Sequence, residues 1–183
     1  LQFDALAAQF VVDGTEPLPL IAMGFVLVGF GFKVSAAPFH FAAPDAYAGA
    51  SSPVAGILAT ASKAMGIIGL LRMLLIVASP EASEDGTVWL TLLGVLSIIT
   101  MTWGNIAALG SKNPKRMLAY SSVAHAGYML AAITAIGAWN WDASLAGDGG
   151  ESAVAVLTAL IFHLIVLVCL LYTSDAADDP SRV

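Results

Sequence analysis

Residues Gly31 to Pro53 read G-F-K-V-S-A-A-P-F-H-F-A-A-P-D-A-Y-A-G-A-S-S-P. An apolar run carries Lys33, meets Pro38, turns at Ala43–Pro44–Asp45, and re-enters apolar sequence that carries Lys63. A lysine at the centre of a bilayer costs about 3 kcal/mol even on the mildest scales, so two in adjacent spans call for a reason.

The surrounding composition makes the bilayer the right frame. Of 183 residues 58% are hydrophobic and 11% charged, with a mean hydropathy of +0.85. Soluble domains carry about a quarter charged residues. The net charge of −6 and the shortage of basic residues exclude a nucleic-acid surface. The single Cys169 stands in an apolar run without a disulfide partner or metal-ligand spacing. The chain begins at Leu1 without a basic leader and reads as a fragment of a longer polypeptide.

Hydrophobic runs predict an all-α polytopic membrane protein with spans at about 18–41, 53–78, 87–109, 117–138 and 152–172. Residues 1–17 read as the end of an external loop, 42–52 as a turn, and 173–183 as a polar, non-native tail. Pro38, with Gly24, Gly29 and Gly31 before it, predicts a kinked or broken first span. Nine carboxylates fall on the side of the N-terminus, and Lys112, Lys115 and Arg116 cluster on the other. The positive-inside rule then makes the cluster cytoplasmic and the N-terminus external in a cell inner (plasma) membrane. Trp89, Trp139 and Trp141 fall where an external aromatic belt is expected.

At ~1.5 Å per residue, Lys33, Lys63, His125 and His163 all lie roughly 12–15 Å from the inner ends of their spans. If the spans pack side by side, these groups form a row parallel to the membrane plane. Ser121 and Tyr128 share a stripe with His125, and Ser62 adjoins Lys63. Such a row suits proton transfer. Water-poor surroundings favour a neutral amine, histidine titrates near neutrality, and a charge on one group alters its neighbour. We therefore take Lys33, Lys63 and His125 as the proton-relay residues, with His163, His40, Ser62, Ser121 and Tyr128 as further candidates. The competing roles are plain ones. Lys33 could snorkel, the histidines could bond helix carbonyls, and His40 could be interfacial. Ser97, Thr100 and Asn105 read as contacts between helices, and nothing in the spans resembles a nucleophile triad, a phosphate loop or a metal centre.

Two stretches carry a family resemblance. F-K-V-S-A-A-P-F-H-F-A-A-P-D-A-Y-A-G-A-S-S-P-V-A-G-I-L-A-T-A-S-K-A at Phe32–Ala64 resembles the antiporter-like membrane subunits of respiratory complex I. The pattern D-A-Y-x-G-A-x-x-P-V is most similar to the N-type among them. G-N-I-A-A-L-G-S-K-N-P-K-R-M-L-A-Y-S-S-V-A-H-A-G-Y at Gly104–Tyr128 is similar to the same subunits. The resemblance covers most of residues 20–138. It implies a fourteen-helix fold with inverted repeats and a broken helix in each, of which this chain holds about five helices. Lys33 then matches the lysine on a broken helix, Lys63 the central lysine on the next, and His125 the histidine between the halves. A partner glutamate and a later lysine would lie outside the chain.

The function so implied is that of a proton-translocating, non-redox subunit of an NADH:quinone oxidoreductase. Its partners would be other membrane-arm subunits, lipid and protons. NADH, flavin, iron–sulfur clusters and quinone would belong to other subunits, leaving no cofactor and no metal in this chain. The alternative is a multisubunit monovalent cation/proton antiporter of the same fold.

Overall fold

A computed structural model describes residues 17–77, 86–141, 155–163 and 165–166. The expected N-terminal loop, the acidic loop near Glu81, the polar loop after Trp141, Cys169 and the tail lie outside them, as does most of the last span. Among the described residues the protein is entirely helical: α1 (Pro17–Val34), α2 (Ala42–Gly49), α3 (Ser52–Val77), α4 (Gly86–Leu109) and α5 (Pro114–Trp141), with residues 155–163 helical again. Three stretches among the described residues are long and apolar enough to cross a membrane: Pro53–Leu74, Trp89–Leu109 and Pro114–Ala138. Ile21–Val34 is a shorter apolar helix.

The first span does not run to Phe41. It stops at Val34, and residues 42–49, expected as a turn, form α2. The stop is a Schellman motif: Ser35 takes a left-handed φ of 63°, Ala36 N donates to Gly31 O at 2.8 Å, and Ser35 N donates to Phe32 O at 3.1 Å. Proline at 38 disfavours helix at Ala37, so the chain cannot resume its path at once. Helix α4 secures the break: Thr100 Oγ1 accepts from Ala37 N at 3.1 Å while donating to Leu96 O in its own helix.

Helix α5 starts at Pro114, three residues before the expected Met117. Asn113 Oδ1 accepts from Lys115 N at 3.0 Å, capping the helix, and Pro114 occupies the first turn where its missing N–H is harmless. Lys115 and Arg116 are therefore helical residues. Lys115 Nζ reaches Ala50 O at 3.4 Å, and Arg116 pairs with Asp45 on α2.

That ion pair is exposed on both sides, so it contributes only about 0.2–1 kcal/mol. Asp45→Asn is expected to lower the thermal midpoint of the detergent-solubilised protein slightly, with the difference vanishing at high salt. A salt-insensitive loss of several kcal/mol would contradict this.

Helices α4 and α5 make the most extensive contact, and α5 also packs on α2 and α3. Their approach is close because glycines face backbone. A Cβ on Gly104 would lie 2.6 Å from Ala124 N, and one on Gly127 would lie 2.8 Å from Met101 N. Ser97 Oγ crosses the seam to Gly127 O at 2.8 Å. The main apolar core joins Val34, Ile67, Leu70, Leu93, Met129, Leu130 and Ile133 with Leu160. Large apolar side chains such as Phe25, Ile57, Met65, Ile98 and Ile106 remain on the outside, as suits helices that meet lipid or further helices.

Candidate functional site

Lys63 is the largest side chain among the fully buried ones, at 2% exposure. It sits midway along α3 and points at α5, where Nζ donates to Ser122 Oγ at 2.9 Å and to Ser122 O. The Ser122 hydroxyl in turn donates to Ala119 O at 2.8 Å. Tyr47, buried on α2, places its phenol beside the same serine. Asp45 is the sole carboxylate among the described residues, and Arg116 holds it at the edge of the bundle. Among the described residues the lysine thus rests on neutral oxygens.

A second cluster forms one turn further along α5. His125 Nδ1 lies 3.2 Å from His163 Nε2, a single hydrogen bond between two imidazoles. The Tyr128 ring stands edge-on to both, with centroids 5.7 and 6.5 Å away, and its hydroxyl accepts from Asn105 Nδ2 at 3.3 Å. Lys63 and His125 lie near enough for their charges to interact. A third group sits at the helix break. There the Trp103 indole donates to His40 Nε2 at 2.8 Å, and His40 is buried.

The row expected from sequence is therefore resolved into clusters. His125 and His163 meet directly, and Tyr128 joins them. Lys33 stands apart: it is exposed on this chain, and only its stem packs at α3, with Cγ 3.2 Å from where a Cβ on Gly66 would lie. Gly66 is one turn after Lys63, so the two lysines occupy adjacent levels of neighbouring helices, Lys33 exposed and Lys63 buried. Ser62 lies about 100° round α3 from Lys63, and Ser121 about 100° round α5 from Ser122, so among the described contacts Lys63 bonds neither. The serine that does is Ser122. Ser122, Tyr47 and Trp103 are neighbours of the candidate residues that sequence reasoning missed. For Ser122 a signal existed, since it stands three residues before His125 and shares its face.

Residues 1–173 match the family described as NADH:quinone oxidoreductase/Mrp antiporter, transmembrane. The chain belongs to that family. Among members of this antiporter family, NADH-quinone oxidoreductase subunit N 2 of Roseiflexus castenholzii is 44% identical over 183 residues, covering 97% of this chain and 35% of that protein. NADH-quinone oxidoreductase subunit N of Heliobacterium modesticaldum is 50% identical over 115 residues, covering 63% of this chain and 24% of that protein. A chain of respiratory complex I from Thermus thermophilus with bound aureothin superposes with a TM-score of 0.63 at 32% identity, covering 94% of this chain and 38% of that one. The chain thus spans between about a quarter and two fifths of the length of these relatives. The all-α antiporter-like membrane fold expected from Phe32–Ala64 and Gly104–Tyr128 holds.

Proposed function

We propose that this chain is part of a proton-translocating membrane-arm subunit of an NADH:quinone oxidoreductase, and that Lys63 takes up and releases the proton. The observation that carries this is a buried lysine whose partners, among the described residues, are the neutral oxygens of Ser122. A buried charge without a counter-ion is costly, and proteins commonly meet that cost by letting the group become neutral. Ser122 supplies acceptors for the ammonium form, and its hydroxyl can turn to serve the amine form. A lysine that merely pinned two helices would be better held by a carboxylate.

The paired imidazoles of His125 and His163 form the next station, since each ring nitrogen can donate or accept. A proton arriving at Lys63 alters the field at His125, which couples the stations. Lys33 turns outward, toward what the rest of the full-length subunit or its neighbours provide. NADH, flavin, iron–sulfur clusters and quinone are assigned to other subunits, and redox energy reaches this chain as a changed electric field. Its partners are other membrane-arm subunits, lipid and protons. It lies in the inner (plasma) membrane with the Lys112, Lys115 and Arg116 end cytoplasmic. The family also includes cation/proton antiporters. The relatives described above are NADH-quinone oxidoreductase subunits at 44% and 50% identity, which favours the first reading.

The test is NADH-driven proton translocation by the whole complex in sealed vesicles, with the full-length subunit carrying Lys63→Met. Translocation lost from an assembled complex supports the reading. Full translocation overturns it.

A further inference from the structure

We propose that Trp103 is a positioning residue for His40. Its indole holds the ring at the helix break in the neutral form with the hydrogen on Nδ1, and Nε2 takes a proton only when the indole lets go. This rests on the reading of the chain as a proton translocator. It sets when His40 is charged and assigns no route to Lys63.

Helix α4 grips the link between α1 and α2 at two points. Thr100 Oγ1 accepts from Ala37 N at 3.1 Å, and one turn later the Trp103 indole donates to His40 Nε2 at 2.8 Å. Residues three apart are neighbours on a helix surface, so both grips come from one side of α4. Thr100 and His40 are buried, and the imidazole is stacked on Phe41, with centroids 5.0 Å apart, and set edge-on to Trp103. Gly104, next to Trp103, lets α4 rest on the α5 backbone at Ala124. The grip is therefore registered against the helix that carries Ser122 and His125.

The donor and acceptor inventory makes this bond a switch. An indole N–H only donates, and a neutral imidazole has one nitrogen that donates and one that accepts. Nε2 is therefore the acceptor, and the ring hydrogen lies on Nδ1. In the imidazolium both nitrogens carry hydrogen. Nε2–H and the indole N–H would then face each other at 2.8 Å, so protonation at Nε2 and the Trp103 bond exclude one another. When the ring charges, Nε2 gains a proton from hydronium, water is left, and the indole keeps its own hydrogen. Among the described residues, the neighbouring elements bring no free carboxylate to the ring. Helix α4 has no titratable side chain, α5 presents the Tyr120 phenol with its ring centroid 6.5 Å away, and Asp45 on α2 is paired with Arg116. The indole thus holds the deciding contact.

The experiment uses the intact complex in sealed vesicles and measures NADH-driven proton translocation as a function of pH. Trp103→Phe keeps an aromatic ring and removes the donor. Neutral His40 then loses a hydrogen bond that charged His40 never had, so the ring keeps its proton to higher pH. The limb of the profile that His40 sets is expected to move up by about half a unit to one unit, the worth of one hydrogen bond. Thr100→Val unties Ala37 from α4 and is expected to move the limb the same way, whereas Thr100→Ser keeps the hydroxyl and the wild-type profile. In a His40→Gln background Trp103→Phe is expected to shift nothing further; a structural prop would act in both backgrounds. A wild-type profile in assembled Trp103→Phe, or an equal shift with and without His40, overturns the role of the indole while Lys63→Met still stops translocation. Should Trp103→Phe fail to assemble, Thr100→Val against Thr100→Ser decides by the same shift. Full translocation by Lys63→Met overturns the underlying reading instead.

Discussion

Lys63→Met is expected to stop proton translocation while leaving the subunit as stable as before, or more so. The two effects separate because the lysine is costly to the fold and necessary to the chemistry. The residue is 2% exposed and its ammonium group rests on Ser122 without a carboxylate beside it among the described residues, so its desolvation is only partly repaid. Methionine fills nearly the same volume with an unbranched, adaptable chain. Its introduction orphans nothing: the Ser122 hydroxyl keeps Ala119 O, and Ser122 O keeps the helical amide four residues on. Replacing buried ionic groups by apolar ones of similar volume is often neutral or stabilising by about 1–4 kcal/mol. The thermal midpoint of the solubilised complex should therefore hold or rise as translocation falls to the background leak. A falling midpoint together with normal translocation would make Lys63 a structural strut.

Gly127→Leu is expected to separate α4 from α5 and to prevent assembly. A Cβ there would lie 2.7 Å from Met101 Cγ, 2.8 Å from Met101 N and 3.1 Å from Ser97 O. Two of those atoms are backbone and cannot move aside, so the helices must part by an ångström or more. Overpacking of this kind costs about 1–3 kcal/mol by itself. Here it also breaks the bond from Ser97 Oγ to Gly127 O and shifts Ser122 and His125, which share the helix. The amount of full-length subunit recovered with the complex reads the effect. Gly24→Ala is the control: nothing lies within 4 Å of its Cβ, and alanine favours a helix by up to about 1 kcal/mol. Normal assembly of Gly127→Leu would show that the seam is looser than its geometry implies.

Much of this was legible because bilayer chemistry is written in one dimension. Apolar runs and sparse charges marked the helices, Pro38 marked the break, and lysine inside a span marked the site. The misreadings share a cause. Helix α1 ends at Val34 rather than Phe41 because Ser35 adopts a left-handed conformation, which a serine gives little reason to expect. Residues 42–49 carry Pro44, Asp45 and Gly49, which read as turn formers, yet Pro44 and Asp45 also suit the first turn of a helix, and α2 uses them so. Ser121 does share a stripe with His125, four residues on, but which serine meets Lys63 depends on how neighbouring helices are rotated, and that falls to Ser122.

Sequence by itself determined that the chain is helical, that it belongs in a membrane, and at what level along their helices its lysines and histidines lie, because each follows from hydropathy and a fixed rise per residue. Only the tertiary structure decided that Lys63 meets Ser122, that His125 meets His163, and that Lys33 turns outward. Those outcomes depend on the rotation and spacing of packed helices, and the rotation is set by where Gly104 and Gly127 let α4 and α5 touch backbone to backbone.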